Sequence, residues 1–208
     1  AATIKAMTED EEGMLQKEID VESLQDINLA ASTIHKRSAG LMEFVNDYRA
    51  ISQVPIPKLH SVNVREFLVN IHRLMKSDLE KRGIRWIPAQ VPPRSYVYMD
   101  EKMIEQVLIN LISNSIYALE EQESPYIKLH FEQKPEQVIL SVEDNGKGIP
   151  KEIIKQIFIP FFTTRKNGSG IGLSLSKSIM RQHKGQIMVQ SEVGKSTVIS
   201  LIFPQAPM

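Results

Sequence analysis

Cysteine is absent from the 208 residues. Disulfides, thiolate zinc sites and cysteine nucleophiles are excluded together, and the composition fits a reducing compartment. Any metal must then sit on oxygen or imidazole. An excess of charge is missing too, because lysine plus arginine number 25 and aspartate plus glutamate also number 25. Without a global field the chain is not built as a nucleic-acid or membrane-surface binder, so a polyanion must be met by a local site. No apolar run approaches the ~20 residues that span a bilayer. The opening Ala1-Ala2-Thr3-Ile4 carries no signal-peptide pattern. A soluble chain is expected, and Ala1 to Met7 reads as the last turns of a helix whose earlier part belongs to a longer parent.

What is present first is a long proline-free stretch, Val21 to Gln53, with Leu24, Ile27, Ala31, Ile34, Ser38, Leu41, Val45 and Tyr48 at heptad spacing. Ala30, Arg37, Phe44 and Ile51 form a flanking stripe. So long a helix exceeds the usual ~10–14 residues and asks for partner helices; the alternative is one amphipathic helix lying on its own domain. Pro55-Ile56-Pro57 stops it, since proline lacks the amide proton and restricts its predecessor. The expected organisation is a helical segment over 1–54, a linker over 55–63 and one domain over 64–208.

Within that domain Ser61 or Asn63 can cap a helix from Val64 to Lys81, ended by Gly83. Short strands are expected at Ile84 to Ile87 and Tyr96 to Met99. Asp100 is placed to cap a helix from Glu101 to Glu120. Strands follow at Tyr126 to Gln133 and Gln137 to Glu143, then a glycine-rich stretch, a helix from Ile171 to His183, and closing strands at Gln186 to Ser191 and Ser196 to Phe203. Strands and helices interleave without strict alternation, which predicts an α+β class with a mixed sheet covered by helices on one face.

Four stretches carry chemistry. Gln106, Asn110 and Asn114 lie four apart and stack on one helix face. Burying such amides without partners costs about 1–3 kcal/mol, so they serve either a hydrogen-bonded network or a ligand; an asparagine carbonyl oxygen suits magnesium. A strand then runs into Asp144-Asn145-Gly146-Lys147-Gly148-Ile149-Pro150. An acceptor-only carboxylate there can fix a planar base through its exocyclic amine, although Asp-Asn-Gly is also ordinary turn chemistry. Phe161-Phe162-Thr163-Thr164 comes next. Finally Gly168-Ser169-Gly170-Ile171-Gly172-Leu173-Ser174 opens a helix, where successive amides make a phosphate nest. This last stretch follows no strand and no Gly-Lys-Ser/Thr closes it, so it is neither a dinucleotide fingerprint nor a Walker loop.

In that order the four stretches resemble the N, G1, F and G2 boxes of sensor histidine kinase catalytic domains. These belong to the superfamily that also holds gyrase, MutL-type and ninety-kilodalton heat-shock ATPases. The resemblance covers about Val64 to Pro204, and Gly194-Lys195-Ser196-Thr197 is similar to the family's terminal glycine box. It implies a Bergerat-type α/β sandwich that binds ATP with Mg2+. Asp144 would bond the adenine amine, Asn114 would hold magnesium against the phosphates, and Asn110 would assist. Gly146, Gly148, Ile149, Phe162, Thr163, Thr164, Gly168, Ser169, Gly170, Ile171, Gly172, Leu173 and Thr197 would complete the nucleotide site. Ile149 to Asn167 resembles the mobile lid, with Phe158, Phe161 and Phe162 as anchors or plain packing. Arg165 or Lys166 would reach the phosphates. Tyr117 would stand beside the base or in the core.

Hydrolysing relatives carry a glutamate at the position of Asn110, and an amide is no general base at neutral pH. The resemblance therefore implies transfer to a histidine rather than hydrolysis, and then to an aspartate of a response-regulator receiver domain. The family's acceptor histidine is followed at once by an acidic residue. His35, His60, His72, His130 and His183 are followed by Lys36, Ser61, Arg73, Phe131 and Lys184. None fits. The long helix resembles the second arm of a dimerising helical hairpin, after a turn around Glu9 to Gly13, so the chain is expected to form homodimers and to lack its phosphoacceptor. The domain itself is expected to be cytoplasmic, with a parent either free or anchored in the inner membrane. Rival readings are another ATPase of the superfamily, an anti-sigma-type serine kinase, and a dimerisation module with a degenerate nucleotide site.

Overall fold

The computed structural model describes residues 4–10, 13–19, 21–52, 54–165 and 168–205. Residues 1–48 and 49–208 make two compact units. In the first, β1 (Ile4–Asp10) and β2 (Gly13–Ile19) pair antiparallel, Asp10 opposite Gly13, and α1 (Val21–Ser52) follows. The helix agrees with its heptad pattern. The helix end expected over Ala1 to Met7 does not: Ile4 to Met7 pair with Gln16 to Ile19 as a strand, and Ala1 to Thr3 lie outside the described residues. On α1 the heptad residues Ile27, Ile34, Leu41 and Val45 are exposed. No described helix is long and apolar enough to cross a membrane.

The second unit is built on a sheet of five strands, β4 (Arg85–Ile87), β6 (Tyr126–Gln133), β7 (Gln137–Asp144), β8 (Gln186–Glu192) and β9 (Ser196–Pro204), in spatial order β4-β6-β7-β9-β8. Only the β4–β6 pair is parallel. The sheet is therefore mixed, as the interleaved pattern predicts. β7 and β9 alternate inward apolar residues (Val138, Leu140 and Val142; Ile199, Leu201 and Phe203) with outward ones. Helices α2 (Val64–Lys81), α3 (Glu101–Ala118) and α5 (Gly172–Gln182) supply the opposing layer, burying Phe67, Ile71, Ile104, Leu108, Leu111, Ile112, Ile179 and Met180. Each such side chain stabilises by about 1.5–3 kcal/mol, so this layer holds the site's framework.

The helix starts follow from their caps. Asn63 Oδ1 accepts from the Glu66 amide at 3.2 Å, and Asp100 Oδ1 accepts from the Met103 amide at 3.2 Å. Two short elements escape the sequence reading. β3 (His60–Asn63) pairs with β5 (Tyr96–Met99) as a separate ribbon, and α4 (Lys151–Ile154) lies inside the expected lid. Each has four residues, too few for a period to declare itself.

Candidate nucleotide site

The last inward residue of β7 is Asp144, which a pattern of alternate burial sends to the helix side of the sheet. It is 3% exposed. The Ser115 hydroxyl on α3 donates to its Oδ2 at 2.7 Å, and the Gly146 amide donates to its Oδ1 at 3.0 Å. Burial pushes the Asp144 carboxyl above the usual range, the two hydrogen bonds oppose that shift, and neighbouring Glu143 adds to it. The result is a carboxylate whose charge awaits a further donor.

Above it opens a cavity of about 500 Å3. The expected residues Asn110, Asn114, Tyr117, Asp144, Gly148, Ile149, Phe162, Thr163, Thr164, Arg165, Gly168, Ser169, Gly170, Gly172, Leu173 and Thr197 all line it. Two others do not. Gly146 acts through its amide on Asp144, and the Ile171 side chain, 5% exposed, is turned into the packed interior at the start of α5. Lys166 lies outside the described residues. Sequence reasoning missed Ser115, Ala118, Lys147, Pro150, Ile153, Ile157, Val193 and Ile199. Lys147 and Pro150 stood inside the quoted motif and Ser115 beside Asn114; the others come together only through the fold.

The α3 amides are engaged. Asn110 donates from Nδ2 to the Ser176 hydroxyl at 3.0 Å, and Ser176 donates to the Gly172 carbonyl at 2.8 Å, so α3 and α5 are tied at the glycine loop. A Cβ on Gly172 would overlap the Asn110 amide. Gly170 has φ +73°, and a Cβ there would stand 2.5 Å from the Phe161 backbone. Asn114 accepts at Oδ1 from Arg165 at 2.6 Å, and the same guanidinium donates to the Ser113 carbonyl at 3.3 Å. Arg165 lies 4.4 Å from the centroid of the Tyr117 ring. Burial lowers its pKa, while Tyr117 and Glu120 oppose the shift. Ile149 donates its amide to Ser191 Oγ at 2.8 Å, and Ser191 meets Thr197 Oγ1 at 2.8 Å, which fixes the loop after Asp144 to the β8–β9 end.

The donor set is what a planar base and a polyanion require together. It offers one buried acceptor, glycine-bordered backbone amides and a lid cation. For a divalent ion the α3 face of the cavity offers the neutral amide oxygens of Asn110 and Asn114. Among the described residues no group of three or more histidines and carboxylates could hold a metal alone. Such oxygens fit magnesium when an anionic ligand supplies the balancing charge.

A family model described as "Histidine kinase-, DNA gyrase B-, and HSP90-like ATPase" matches residues 99–207, which include every motif of the cavity. Sensor histidine kinase ZraS of Salmonella typhimurium is 32% identical over 146 residues, covering 70% of this chain and 31% of that protein. The chain spans less than a third of the length of the curated relatives it matches. Among solved structures, the catalytic domain of histidine kinase ThkA is 31% identical, with a TM-score of 0.65 over 72% of this chain and 99% of that one. Histidine kinase ThkA in complex with response regulator protein TrrA is 27% identical, with a TM-score of 0.66 over 91% of this chain and 53% of that one. The stretch that the family model matches holds buried Asp144, the paired α3 asparagines and the glycine loop: the chain belongs to the histidine kinase-, DNA gyrase B- and HSP90-like ATPase family, and carries a catalytic ATP-binding domain of the histidine-kinase type.

Proposed function

We propose that this chain is the phosphate-donating part of a sensor histidine kinase, passing the γ-phosphate of ATP to a histidine outside these 208 residues and onward to a response-regulator aspartate. The observation that carries the reading is the cavity's lack of a base. Among its described lining residues Asp144 is the sole carboxylate, and there is no histidine. Asp144 is already committed to Ser115 and Gly146. Asn110 bears an amide and is held by Ser176, so water entering the site meets nothing to take its proton. A donor site that does not waste ATP on water suits transfer to a protein nucleophile.

In this reading Asp144 accepts from the adenine amine, while the amides of the Gly168–Gly172 loop and the N-terminus of α5 face the phosphates. Asn114 and Asn110 would hold magnesium, which neutralises charge on the phosphates, and Arg165 and Lys166 would steady the transferred group. The incoming imidazole nitrogen forms a bond to the γ-phosphorus as the bond to the bridging oxygen breaks, and ADP leaves with that oxygen. Homodimerisation through α1 is supported by the exposed Ile27, Ile34, Leu41 and Val45 of its heptad. A receiver domain as partner is supported by the ThkA complex with TrrA.

The test is incubation of the chain with labelled ATP and magnesium. We expect bound nucleotide, little released phosphate, and no phosphohistidine at His35, His60, His72, His130 or His183. Rapid steady-state hydrolysis would instead favour another ATPase of the superfamily, and phosphoserine on an added anti-sigma-factor antagonist would favour a serine kinase. Calorimetry without heat, unchanged by Asp144→Asn, would leave a degenerate site on a dimerisation module.

A further inference from the structure

Tyr117 carries two cations. Arg165 sits 4.4 Å and Lys147 Nζ 4.7 Å from the centroid of its ring. They arrive from different elements, Arg165 from the lid and Lys147 from the loop after Asp144. Neither belongs to a salt bridge among the described residues. The lysine's launch point is fixed, because its amide donates to the Ala118 carbonyl at 3.2 Å and its carbonyl accepts from the Gly194 amide at 2.9 Å. Like charges held on one aromatic ring repel each other, and the ring's negative face, with the charge of Glu120 on Arg165, offsets only part of that repulsion. An anion placed between them removes the rest.

All three residues line the same cavity as Asn114, and Tyr117 follows Asn114 by three residues on α3, hence on the same helix face. With the base at Asp144, as the proposed function has it, a polyphosphate running toward Asn114 meets this pair. We propose that Lys147 is a phosphate-binding residue and Tyr117 a positioning residue, together forming with Arg165 a cation clamp that makes the site select triphosphate over nucleoside. When the phosphates arrive, Arg165 exchanges the Asn114 oxygen for a phosphate oxygen and leaves that amide free to serve as a ligand. Lys147 stays where its backbone pins it and marks the near end of the chain of phosphates.

Calorimetry on the full chain with ATP, adenosine and inorganic triphosphate tests this. Lys147→Met should weaken ATP and inorganic triphosphate by about tenfold, the scale of one cation on a ring or phosphate, and leave adenosine within about twofold. Tyr117→Phe keeps the π face and should match the wild type, whereas Tyr117→Leu should reproduce the loss for the two phosphate ligands and flatten its dependence on salt. Equal behaviour of the Phe and Leu variants, or full triphosphate affinity in Lys147→Met, overturns the clamp. Inorganic triphosphate needs no base site, so its binding reads the clamp even if the role given to Asp144 fails; wild-type chain that binds adenosine and no triphosphate overturns the clamp alone.

Discussion

The Ser115 hydroxyl donates to Asp144 Oδ2 over 2.7 Å, joining the middle of α3 to the end of β7 beneath the nucleotide cavity. With the Gly146 amide on the other oxygen, this orients the carboxylate without neutralising it. Burial raises the Asp144 pKa, so the folded chain holds that proton more tightly than the unfolded chain. The sign follows: stability from this group is fully present below the unfolded pKa and is lost as pH rises through the folded one, leaving the ionised form a burden at neutral pH. Asp144→Asn should therefore raise the thermal midpoint of the nucleotide-free chain at pH 7.5. The same change should weaken ATP by about 10- to 100-fold, the worth of a hydrogen bond to a charged group. Calorimetric melts and titrations on one preparation check both, and a variant that melts lower while binding normally would contradict the assignment.

Gly172 is held against Asn110 so closely that a Cβ would overlap the amide, and Gly170 is left-handed beside the Phe161 backbone. The two differ in what can give. Gly172→Ala can be relieved by swinging Asn110 away from Ser176, so the chain should fold and lose magnesium-dependent ATP binding. Gly170→Ala meets backbone and a disfavoured φ together, so it should also destabilise, by roughly 1–2 kcal/mol. Denaturant melts beside nucleotide titrations separate the two outcomes.

Much of this is legible in the sequence. Asn63 and Asp100 announce their helices by standing just before apolar periodic stretches, and the β7 and β9 alternations announce half-buried strands. The order of Asn110, Asn114, Asp144 and Gly168 to Gly172 announces the site through its resemblance to the family's boxes, since chemistry at one point does not by itself fix the order of its groups along a chain. The strand order was not legible, since β7 pairs with β9 across more than fifty residues and nothing local records the partner. The hairpin of β1 and β2 was hidden by its neighbour, a helix long enough to suggest more helix before it. Arg165 could be named as a cation near phosphate, but its stack on Tyr117 and its bond to Asn114 depend on where the lid settles.

Ser176 is 1% exposed and stands between two site elements, accepting from Asn110 and donating to the Gly172 carbonyl. Ser176→Ala removes the partner of the half-buried Asn110 amide and the side-chain bond to the Gly172 carbonyl, at about 0.5–1.5 kcal/mol of stability for each bond lost. Asn110 would then rotate freely, so nucleotide affinity in magnesium should fall several-fold while affinity in chelator changes little. Equal losses in both conditions would mean that Ser176 supports only the fold.

His183 ends α5 with its ring buried, Nδ1 donating to the Ile179 carbonyl at 2.8 Å and Nε2 accepting from the Asp100 amide at 3.0 Å. That pattern needs the neutral ring, with its proton on Nδ1. Burial lowers its pKa, against the carbonyl of Ile179 and the charge of Asp100, which act the other way. A depressed histidine pKa means that the unfolded chain binds the proton first as pH falls. Stability from the group is thus complete above about pH 6.5 and declines as pH drops from there toward the folded value. Asp100 is also lowered: burial raises it, but amides from Lys58 and Met103 outweigh that, so its contribution is lost in a more acidic window. Urea melts between pH 7.5 and 5 should show the wild-type chain losing stability across this range. His183→Gln, which cannot be protonated, should begin less stable and stay flatter, and parallel curves for the two proteins would refute the neutral-ring assignment.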